Sequence, residues 1–467
     1  MKRFVYLILF LLPFVDVLSQ NEEFALPSII SDHAVMQRNA EVKLWGWCPG
    51  TWDLKIVCSW NPTDTIHTSS NEYCKWESYI HTPSESGPFQ IRFYGWDNKL
   101  VKTVDDILIG ETWLCSGQSN MEYCFMWRVD DAKNVKEDLT GKSIRFFKVS
   151  KATSEYPQDQ IAGKWEICSP ETCQNFSVVA YYFGYRLNEK LNVPVGLIGS
   201  YWGGTSIEPW IPDSSYKLEN SLYQKAHKQS LGWTPIAPSS IYNAMISPII
   251  NYTIAGVIWY QGEGNNERAA DYGDLFGGLI KGWRNANRHF LPFYYVQIAP
   301  WNGYSAQNGA CLREQQSNML TRMTNVGMVT IGDLVNDISD IHPALKKEVG
   351  FRLGNMALYE KYNHKEVNPF SPMLKSFKIK GNKVVVTTTA IGKLVCKGKT
   401  IQHFEVVDET GKCYPAQAKL LHDGLISVSS NDVMKPKGVR YCFSNDAVPD
   451  LFDINGLPLA PFRTDCK

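Results

Sequence analysis

The chain has 467 residues, of which 44% are hydrophobic and 20% charged, and its 47 basic side chains balance 47 acidic ones. This length and composition predict a globular protein of two or three domains with an ample core. The balanced charge, without a stripe of Lys or Arg, argues against a nucleic-acid partner.

The first 19 residues have the pattern of a cleaved secretory signal. Lys2 and Arg3 precede an apolar run over residues 4–15, and residues 17–19 offer a cleavage site before Gln20. The run is shorter than the ~20 residues that a membrane-spanning helix needs, and no comparable run follows it. We therefore expect a secreted or lysosomal protein without a membrane span.

Asparagine and cysteine usage fits the same route. Sequons at Asn175 and Asn251 are candidate N-glycosylation sites. The 12 cysteines are mostly scattered, which indicates several disulfide bonds in an oxidising compartment, with Cys168 and Cys173 as a candidate short loop. Cys168 and Cys173 form an isolated pair without a nearby histidine, so we expect no metal site.

The hydrophobic pattern divides the chain after the signal into three parts. Residues 20–105 contain short β-rich runs with period-two alternation, which predict an N-terminal β-sandwich-like domain. Over residues 106–365 strand-like runs alternate with helix-period segments, which is typical of an α/β catalytic domain. Residues 366–467 are β-rich again and predict a C-terminal β domain.

The middle part predicts a parallel sheet of about five strands with helices on both faces. The strand candidates are residues 107–115, 195–200, 254–260, 293–299 and 326–331, and the helix candidates are 176–191, 272–288, 313–324 and 343–362. In such sheets ligands bind beyond the carboxyl ends of the strands. Four polar or Gly-rich turns follow strand candidates and are functional candidates: residues 116–120, 202–205, 261–265 and 332–333.

The first of these turns contains a candidate nucleophile. Ser119 lies in a GQSNM segment between a strand and a helix, where a serine hydroxyl is exposed and backbone amides point toward it. Met121 stands where an α/β-hydrolase elbow would need Gly, so that family is disfavoured. The segment alone leaves two interpretations open, because Ser119 could also simply cap the helix.

A DIHP segment at residues 340–343 supplies a candidate base. Pro343 restricts His342 to an extended backbone, and residues two apart in an extended segment project to the same side. Asp340 could therefore orient the His342 imidazole. A lone histidine is more often structural, but this one follows the last predicted parallel strand, beside an acid and a proline.

Acyl transfer also needs hydrogen-bond donors for an oxyanion. The backbone amides of Ser119 and of Gly203 or Gly204, with the side-chain amide of Asn265, are the candidate donors. Taken singly, each has a simpler explanation, because Gly203 and Gly204 suit a turn and Asn265 suits a helix cap.

Together these segments resemble the sialate O-acetylesterases. The resemblance is carried in chain order by residues 31–38 (SDHAVMQR), 113–121 (WLCSGQSNM), 202–210 (WGGTSIEPW), 259–265 (WYQGEGN), 340–343 (DIHP) and 456–465 (GLPLAPFRTD). It implies an SGNH-type three-layer α/β/α hydrolase flanked by β domains. It also implies an enzyme that acts on O-acetylated sialic acids or sialoglycans without a cofactor.

Carried over by position, the resemblance makes Ser119 the serine, Gly203 or Gly204 the glycine, Asn265 the asparagine and His342 the histidine of the SGNH set. One position departs from the pattern. Many SGNH enzymes place Asp three residues before the histidine, and here that residue is Ser339. The acid is then Asp340 or a residue such as Glu263, Asp333 or Asp337, or the site works as a Ser-His dyad.

Three alternatives follow from the same residues. The enzyme could deacetylate a plant or microbial polysaccharide, or the chain could be a sugar-binding glycoprotein that has lost activity. A cysteine nucleophile at Cys115 or Cys124 is remote, because strand-borne or bridged thiols are poor nucleophiles.

Overall fold

The computed structural model describes residues 24–132, 142–227, 233–421 and 424–465. The predicted signal at residues 1–19 lies outside these ranges. Within them, no helix is both long enough and apolar enough to cross a membrane.

The chain begins with strands, continues with alternating strands and helices, and ends with strands. The strands are β1 (Val35–Gln37), β2 (Glu41–Trp47), β3 (Asp53–Cys58), β4 (Thr65–Ser69), β5 (Lys75–His81), β6 (Phe89–Tyr94), β7 (Leu100–Gly117), β8 (Ile144–Lys148), β9 (Trp165–Ile167), β10 (Val195–Tyr201), β11 (Gly256–Tyr260), β12 (Phe293–Val296), β13 (Val326–Val329), β14 (Leu374–Lys380), β15 (Lys383–Thr388), β16 (Val395–Cys396), β17 (Phe404–Asp408), β18 (Cys413–Pro415), β19 (Gln417–Leu420), β20 (Leu425–Ser429), β21 (Pro436–Tyr441), β22 (Leu451–Phe452) and β23 (Phe462–Arg463).

The helices lie mainly between β7 and β14. The α-helices are α1 (Ser119–Glu122), α2 (Pro170–Cys173), α3 (Val178–Leu191), α4 (Asp213–Leu218), α5 (Asn220–Ala226), α6 (Tyr272–Asn287), α7 (Asn308–Arg322) and α8 (Lys346–Glu360). Short 3₁₀ turns cover Glu208–Trp210, Ser247–Ile249 and Glu263–Asp271, and a π turn covers Tyr242–Ile246.

The central sheet is mostly parallel, which confirms a mixed α/β fold. Its strand order is β13-β12-β11-β7-β10-β8-β9, and along this order the neighbouring strands are parallel except for β8 and β9. The sheet exceeds the predicted five strands because β8 and β9 extend one edge. These two strands have only five and three residues, too few for periodicity to distinguish them from loop.

Side chains of the central strands alternate between two hydrophobic cores. Val257 and Trp259 of β11 pack in the core that contains apolar residues of α6 and α7. Ile258 and Tyr260 pack in the core that contains apolar residues of α3 and α8. A strand buried on both sides has no polar face, which explains its continuous apolar sequence.

The strand ends that form the site are held in register. Tyr201 of β10 and Tyr260 of β11 both pair with Gly117, the last residue of β7. The turns that follow these three strands therefore start side by side at one edge of the sheet, as expected for parallel strands.

The boundary predicted at residues 105 and 106 falls inside β7. This strand pairs antiparallel with β6 up to Ile107, and parallel with β10 from Glu111 onward. One strand of 18 residues thus serves both the N-terminal β region and the central sheet.

The C-terminal region is β-rich, as predicted. Two antiparallel sheets, β14-β15-β20-β19 and β18-β17-β21-β23, contribute to one separate core. Residues such as Val386, Ile426, Val406 and Val439 fill that core from both sheets.

Candidate active site

A tight turn at the end of β7 places Ser119, which is half-buried, at the site. Gly117 adopts φ 142°, and a Cβ at this position would lie 2.1 Å from the carbonyl oxygen of Tyr260 on the neighbouring strand. Only glycine fits this close approach. Ser119 is the first residue of α1, and the N-cap is Gln118. The Ser119 side chain is therefore not the cap of this helix.

The hydroxyl of Ser119 instead contacts a histidine from a distant loop. Ser119 Oγ and His342 Nε2 are 2.9 Å apart although the two residues are 223 positions apart in the chain. This is the hydrogen-bond distance at which an imidazole can accept the proton of a nucleophilic hydroxyl.

His342 is held in a setting that favours its neutral, basic form. Its pKa is lowered from the ordinary value, first by burial and then by the nearby Lys346 ammonium, while Asp340 acts in the opposite direction. The rings of Tyr123 and Trp127 lie 6.2 and 6.5 Å from the imidazole, centroid to centroid. A neutral imidazole is the form that a general base needs.

The carboxylate of Asp340 is not hydrogen-bonded to the His342 imidazole. Asp340 Oδ1 lies 3.9 Å from His342 Nδ1, beyond hydrogen-bond distance, and accepts the backbone N–H of His342 at 2.8 Å. The predicted orienting bond through Nδ1 is therefore absent. The reason is local, because an Asp side chain readily accepts the N–H two residues onward and forms an Asx turn.

The other predicted acids have different partners. Glu263 Oε1 accepts a hydrogen bond from Asn120 Nδ2 at 2.6 Å. Asp333 forms a two-point ion pair with Arg352, with distances of 2.7 and 2.8 Å. Asp337 accepts hydrogen bonds from the backbone and the hydroxyl of Ser339. The structure thus brings Ser119 and His342 together, and among the described residues no carboxylate is hydrogen-bonded to the imidazole.

Gly203 lies beside the serine, as predicted, but its amide is occupied. A Cβ at Gly203 would lie 3.3 Å from Ser119 Cβ. The Gly203 N–H donates to Glu122 Oε2 at 2.7 Å, and Lys151 forms an ion pair with the other carboxylate oxygen at 2.6 Å. Glu122 follows the GQSNM motif directly but is not among the residues predicted for the site.

Asn265 does not offer its side-chain amide to Ser119 in this structure. The amide is fully buried, and its Nδ2 lies 3.1 Å from both carboxylate oxygens of Glu208. Its Oδ1 accepts from Ile207 N and from Gln261 Nε2. The predicted oxyanion role conflicts with this arrangement, because the buried Glu208 carboxylate needs donors and Asn265 supplies one.

Two polar residues next to Ser119 connect the turns of the site. Gln118 Oε1 accepts the backbone N–H of Gly264 at 3.0 Å. Asn120 contacts Glu263 and Lys346, of which Lys346 is fully buried. The GQSNM motif could have indicated Gln118 and Asn120. Lys346 carries no such signal, because a lysine in the first turn of a helix is usually exposed.

Two exposed aromatic side chains contact residues of the site, one at Gly204 and one at His342. The Trp233 indole lies against Gly204, where a Cβ would be 2.4 Å from Cζ2, and yet the residue is 86% exposed. Trp127 is 43% exposed on the His342 side. Exposed aromatic rings at these two positions are suited to pack against a flat apolar face of a ligand.

The remaining predicted positions concern glycosylation and disulfide bonding. The side chains of Asn175 and Asn251 are exposed. The thiols of Cys168 and Cys173 are hydrogen-bonded neighbours. Burial first, and then the Cys168 thiol, raise the pKa of Cys173. The disulfide bond between them stays a prediction.

Comparison with known proteins gives a consistent result. The family model for carbohydrate esterases, sialic acid-specific acetylesterase, matches residues 110–362. The sialate O-acetylesterase of Homo sapiens is 28% identical over 416 residues, which cover 82% of this chain and 80% of the human protein. The sialate O-acetylesterase of Pongo abelii is 27% identical over 443 residues, covering 88% and 84%.

A solved structure extends the likeness to nearly the whole chain. The crystal structure of a novel carbohydrate acetylesterase from Xanthomonas citri superimposes with a TM-score of 0.85 at 30% identity, and covers 95% of this chain and 100% of its own. The matched residues 110–362 contain both Ser119 and His342. The chain therefore belongs to the sialic acid-specific acetylesterase family of carbohydrate esterases, and it is a carboxylic ester hydrolase acting on acetylated carbohydrate.

Proposed function

We propose that the protein is a serine esterase that removes O-acetyl groups from sialic acids through an acetyl-enzyme formed on Ser119. The observation that carries this proposal is the 2.9 Å contact between Ser119 Oγ and His342 Nε2. The central sheet with a core on each face supports the SGNH-type three-layer arrangement implied by the sequence.

In the acylation step, Ser119 Oγ attacks the carbonyl carbon of the acetyl ester while His342 Nε2 takes the hydroxyl proton. The tetrahedral intermediate collapses, the C–O bond to the sugar breaks, and the imidazolium returns the proton to the sugar oxygen. Water, activated by the same imidazole, then attacks the acetyl-enzyme and releases acetate. Without a hydrogen-bonded acid, His342 and Ser119 act as a dyad with Asp340 as a nearby charge.

The amide of Gly203 is the donor best placed to stabilise the oxyanion. It donates to the Glu122 carboxylate, which stands where an anion can be held beside Ser119. We expect the oxyanion to replace this carboxylate, and Lys151 to retain Glu122 by their ion pair. The amides of Ser119 and Gly204 complete the proposed set.

Sialic acid is the proposed substrate because both mammalian relatives are named sialate O-acetylesterases. The alternative, another acetylated carbohydrate, is favoured by the Xanthomonas citri structure, which is named only as a carbohydrate acetylesterase. The purified protein should be assayed on 9-O-acetyl and 4-O-acetyl sialic acid beside acetylated xylan. Activity on xylan with equal inactivity on both sialic acids would reject the sialate assignment.

A catalytically inactive sugar-binding glycoprotein is the second alternative. The close contact of Ser119 with His342 argues against it, because a binding protein needs no paired nucleophile and base. Release of acetate from a chromogenic acetate ester decides between the two.

We further infer that the protein enters the secretory route, either to the lysosome or out of the cell. The signal-like residues 1–19 and the exposed side chains of Asn175 and Asn251 support this proposal. Expression in a secreting eukaryotic host should yield a protein whose mass falls on treatment with a glycosidase specific for N-linked glycans. An unglycosylated product in the cytosol would contradict it.

A further inference from the structure

Asn120 forms a bridge between the loops that carry the two proposed catalytic residues. Its Nδ2 donates to the carbonyl oxygen of Ile341 at 3.1 Å and to Glu263 Oε1 at 2.6 Å. Asn120 follows Ser119 in the chain, and Ile341 precedes His342. One side-chain amide therefore connects the peptide units beside the nucleophile and beside the base.

A buried lysine fixes the other end of the same amide. Lys346 Nζ donates to Asn120 Oδ1 at 2.5 Å. Because Lys346 holds the oxygen and Glu263 accepts from the nitrogen, the amide of Asn120 cannot be reversed without losing both contacts. The orientation that directs a donor at Ile341 is thus determined by two charged groups.

This network lies in a dry environment. Asn120 and Lys346 have no exposed surface, and Glu263 is 4% exposed. The Lys346 ammonium lies between the rings of Tyr123 and Tyr260, 4.8 and 5.3 Å from their centroids. Burying two ionisable groups is costly, and apolar residues of similar size are often at least as stabilising. A buried charged network directly behind the nucleophile therefore calls for a role other than stability.

We propose that Asn120 is a positioning residue that fixes Ser119 opposite His342, and that Lys346 and Glu263 hold Asn120 in the required orientation. The role rests on the proposed Ser119–His342 chemistry. Asn120 touches neither substrate nor the reacting atoms in this scheme, so its removal lowers kcat and leaves KM nearly unchanged.

Lys346 has a second effect through its charge, because the Tyr123 ring that its ammonium contacts also lies 6.2 Å from the His342 imidazole, centroid to centroid. The groups that act on the His342 pKa are Lys346, which lowers it, and Asp340, which raises it, in addition to burial. The pKa of Lys346 itself is lowered to about 7 by burial, against the opposing charges of Glu263, Asp340 and Asp131. Below about pH 7 Lys346 carries its positive charge, and this charge keeps the pKa of His342 low.

The first test uses Asn120→Asp alone and together with Glu263→Gln, assayed on a chromogenic acetate ester. Asn120→Asp keeps the acceptor for Lys346 but loses both donors, and a misplacement of about 1 Å can cost about 100-fold in kcat. When Glu263→Gln is added, the new amide at position 263 can donate a hydrogen bond to the new carboxylate at position 120. The hydrogen bond to the carbonyl oxygen of Ile341 is not restored. We expect the double variant to regain thermal stability while kcat stays about 100-fold low.

Recovery of kcat together with stability in the double variant would show a merely structural role and overturn the proposal. Ser119→Ala, measured in parallel, separates two kinds of failure. Retained activity in Ser119→Ala would reject the proposed function. Normal kcat in Asn120→Asp beside an inactive Ser119→Ala would reject only the positioning role.

The second test compares the pH profile of the wild type with that of Lys346→Met combined with Glu263→Gln, a pair of changes that leaves no unpaired buried charge. Loss of the ammonium raises the pKa of His342, so the acid limb of kcat/KM should move to higher pH. Lys347→Met is the matched control, because its ammonium lies 4.9 Å from the Tyr182 centroid, outside the network. An acid limb that does not move, or that moves equally in the control, would contradict the role of Lys346.

Discussion

At the scale of single residues, Ser119 and Ser116 offer a direct comparison. Ser116 is fully buried in β7, and its hydroxyl has no hydrogen-bond partner in the described structure, whereas Ser119 Oγ contacts His342. We predict that Ser119→Ala lowers turnover by about 10³-fold or more with unchanged melting temperature, because only transition-state chemistry is lost. Ser116→Ala should be mild. Labelling by a serine-directed phosphonate at a peptide without Ser119 would refute the assignment.

The pH dependence should report the protonation of His342. Burial and Lys346 lower the pKa of this imidazole, so the base stays neutral to a lower pH than a free histidine, whose pKa is ~6.5. We predict that kcat/KM is constant near neutral pH and falls reversibly as pH drops through that lowered pKa. His342→Gln should abolish turnover. A variant that kept a tenth of the activity, a loss of only ~1.4 kcal/mol, would exclude His342 as the base.

Substitution of Asp340 should lower kcat less than substitution of the acid in a Ser-His-Asp triad would. Its carboxylate binds the backbone N–H of His342, a contact that an asparagine side chain can also make. We predict that Asp340→Asn lowers kcat by about tenfold or less, and moves the acid limb to lower pH, because Asp340 raises the pKa of His342. A loss of about 10⁴-fold, typical of a wrong imidazole tautomer, would instead show that Asp340 reaches Nδ1 during turnover.

At the scale of elements, the turn after β10 contains Gly203, the proposed oxyanion donor, and Gly204, which contacts an exposed tryptophan. Trp233 lies on Gly204 and is directed to solvent. Aromatic packing contributes about 0.5–1.5 kcal/mol, so Trp233→Ala should raise KM for an acetylated sugar about three- to tenfold. A small acetate ester should be unaffected. Trp96→Ala, which removes a comparably exposed tryptophan from the N-terminal region, is the control.

If Trp233→Ala changed kcat on both substrates equally, the indole would be supporting the glycine turn instead of the sugar. Steady-state kinetics with the two substrates therefore distinguish a binding surface from a structural contact.

The elements that sequence could predict are those with a strong apolar period. The strand predicted at residues 107–115 lies within β7, because burial on both sides of a sheet leaves a continuous apolar run. The helix predicted at residues 272–288 corresponds to α6, whose apolar residues recur with the helical period. The helix predicted from residue 343 begins later, at Lys346. Short strands such as β9 carry too few residues for any period to be recognised.

Contacts at the site that follow from topology can be predicted from the sequence, whereas those that depend on side-chain conformation cannot. Parallel strand ends must meet, so the turns containing Ser119 and Gly203 could be placed together. The direction of the Asp340 carboxylate could not be predicted, because the same backbone spacing suits both an Asx turn and a hydrogen bond to His342 Nδ1. The burial of Lys346 could not be predicted from the sequence either, since its partners Asn120 and Glu263 are more than 80 residues away in the chain.

At the scale of the whole molecule, the C-terminal β region supports the histidine loop through an intermediate segment. Trp301 donates its indole N–H to the carbonyl oxygen of Ser339 at 3.0 Å, close before His342. The backbone N–H of Trp301 in turn donates to the carbonyl oxygen of Asn445, which lies between β21 and β22. The position of the base thus depends on residues about 100 positions further along the chain.

The Asn445 side chain links the C-terminal region to the same segment. Its Nδ2 donates to the carbonyl oxygens of Tyr304 and Ala306, each at 2.8 Å, and its Oδ1 accepts the N–H of Gly309 at 3.0 Å. Asn445→Ala removes these three bonds and leaves backbone groups without partners. Net contributions of about 0.5–1.5 kcal/mol per bond predict a stability loss of about 2–4 kcal/mol.

Because the same segment carries Trp301, we predict that Asn445→Ala also lowers kcat on a small acetate ester about three- to tenfold at temperatures where the variant remains folded. Thermal unfolding and steady-state kinetics measure the two effects separately. Asn431→Ala, at an exposed position of the same C-terminal region, is the control and should change neither. A destabilised Asn445→Ala variant with wild-type kcat would mean that Trp301 holds the histidine loop without help from the C-terminal region.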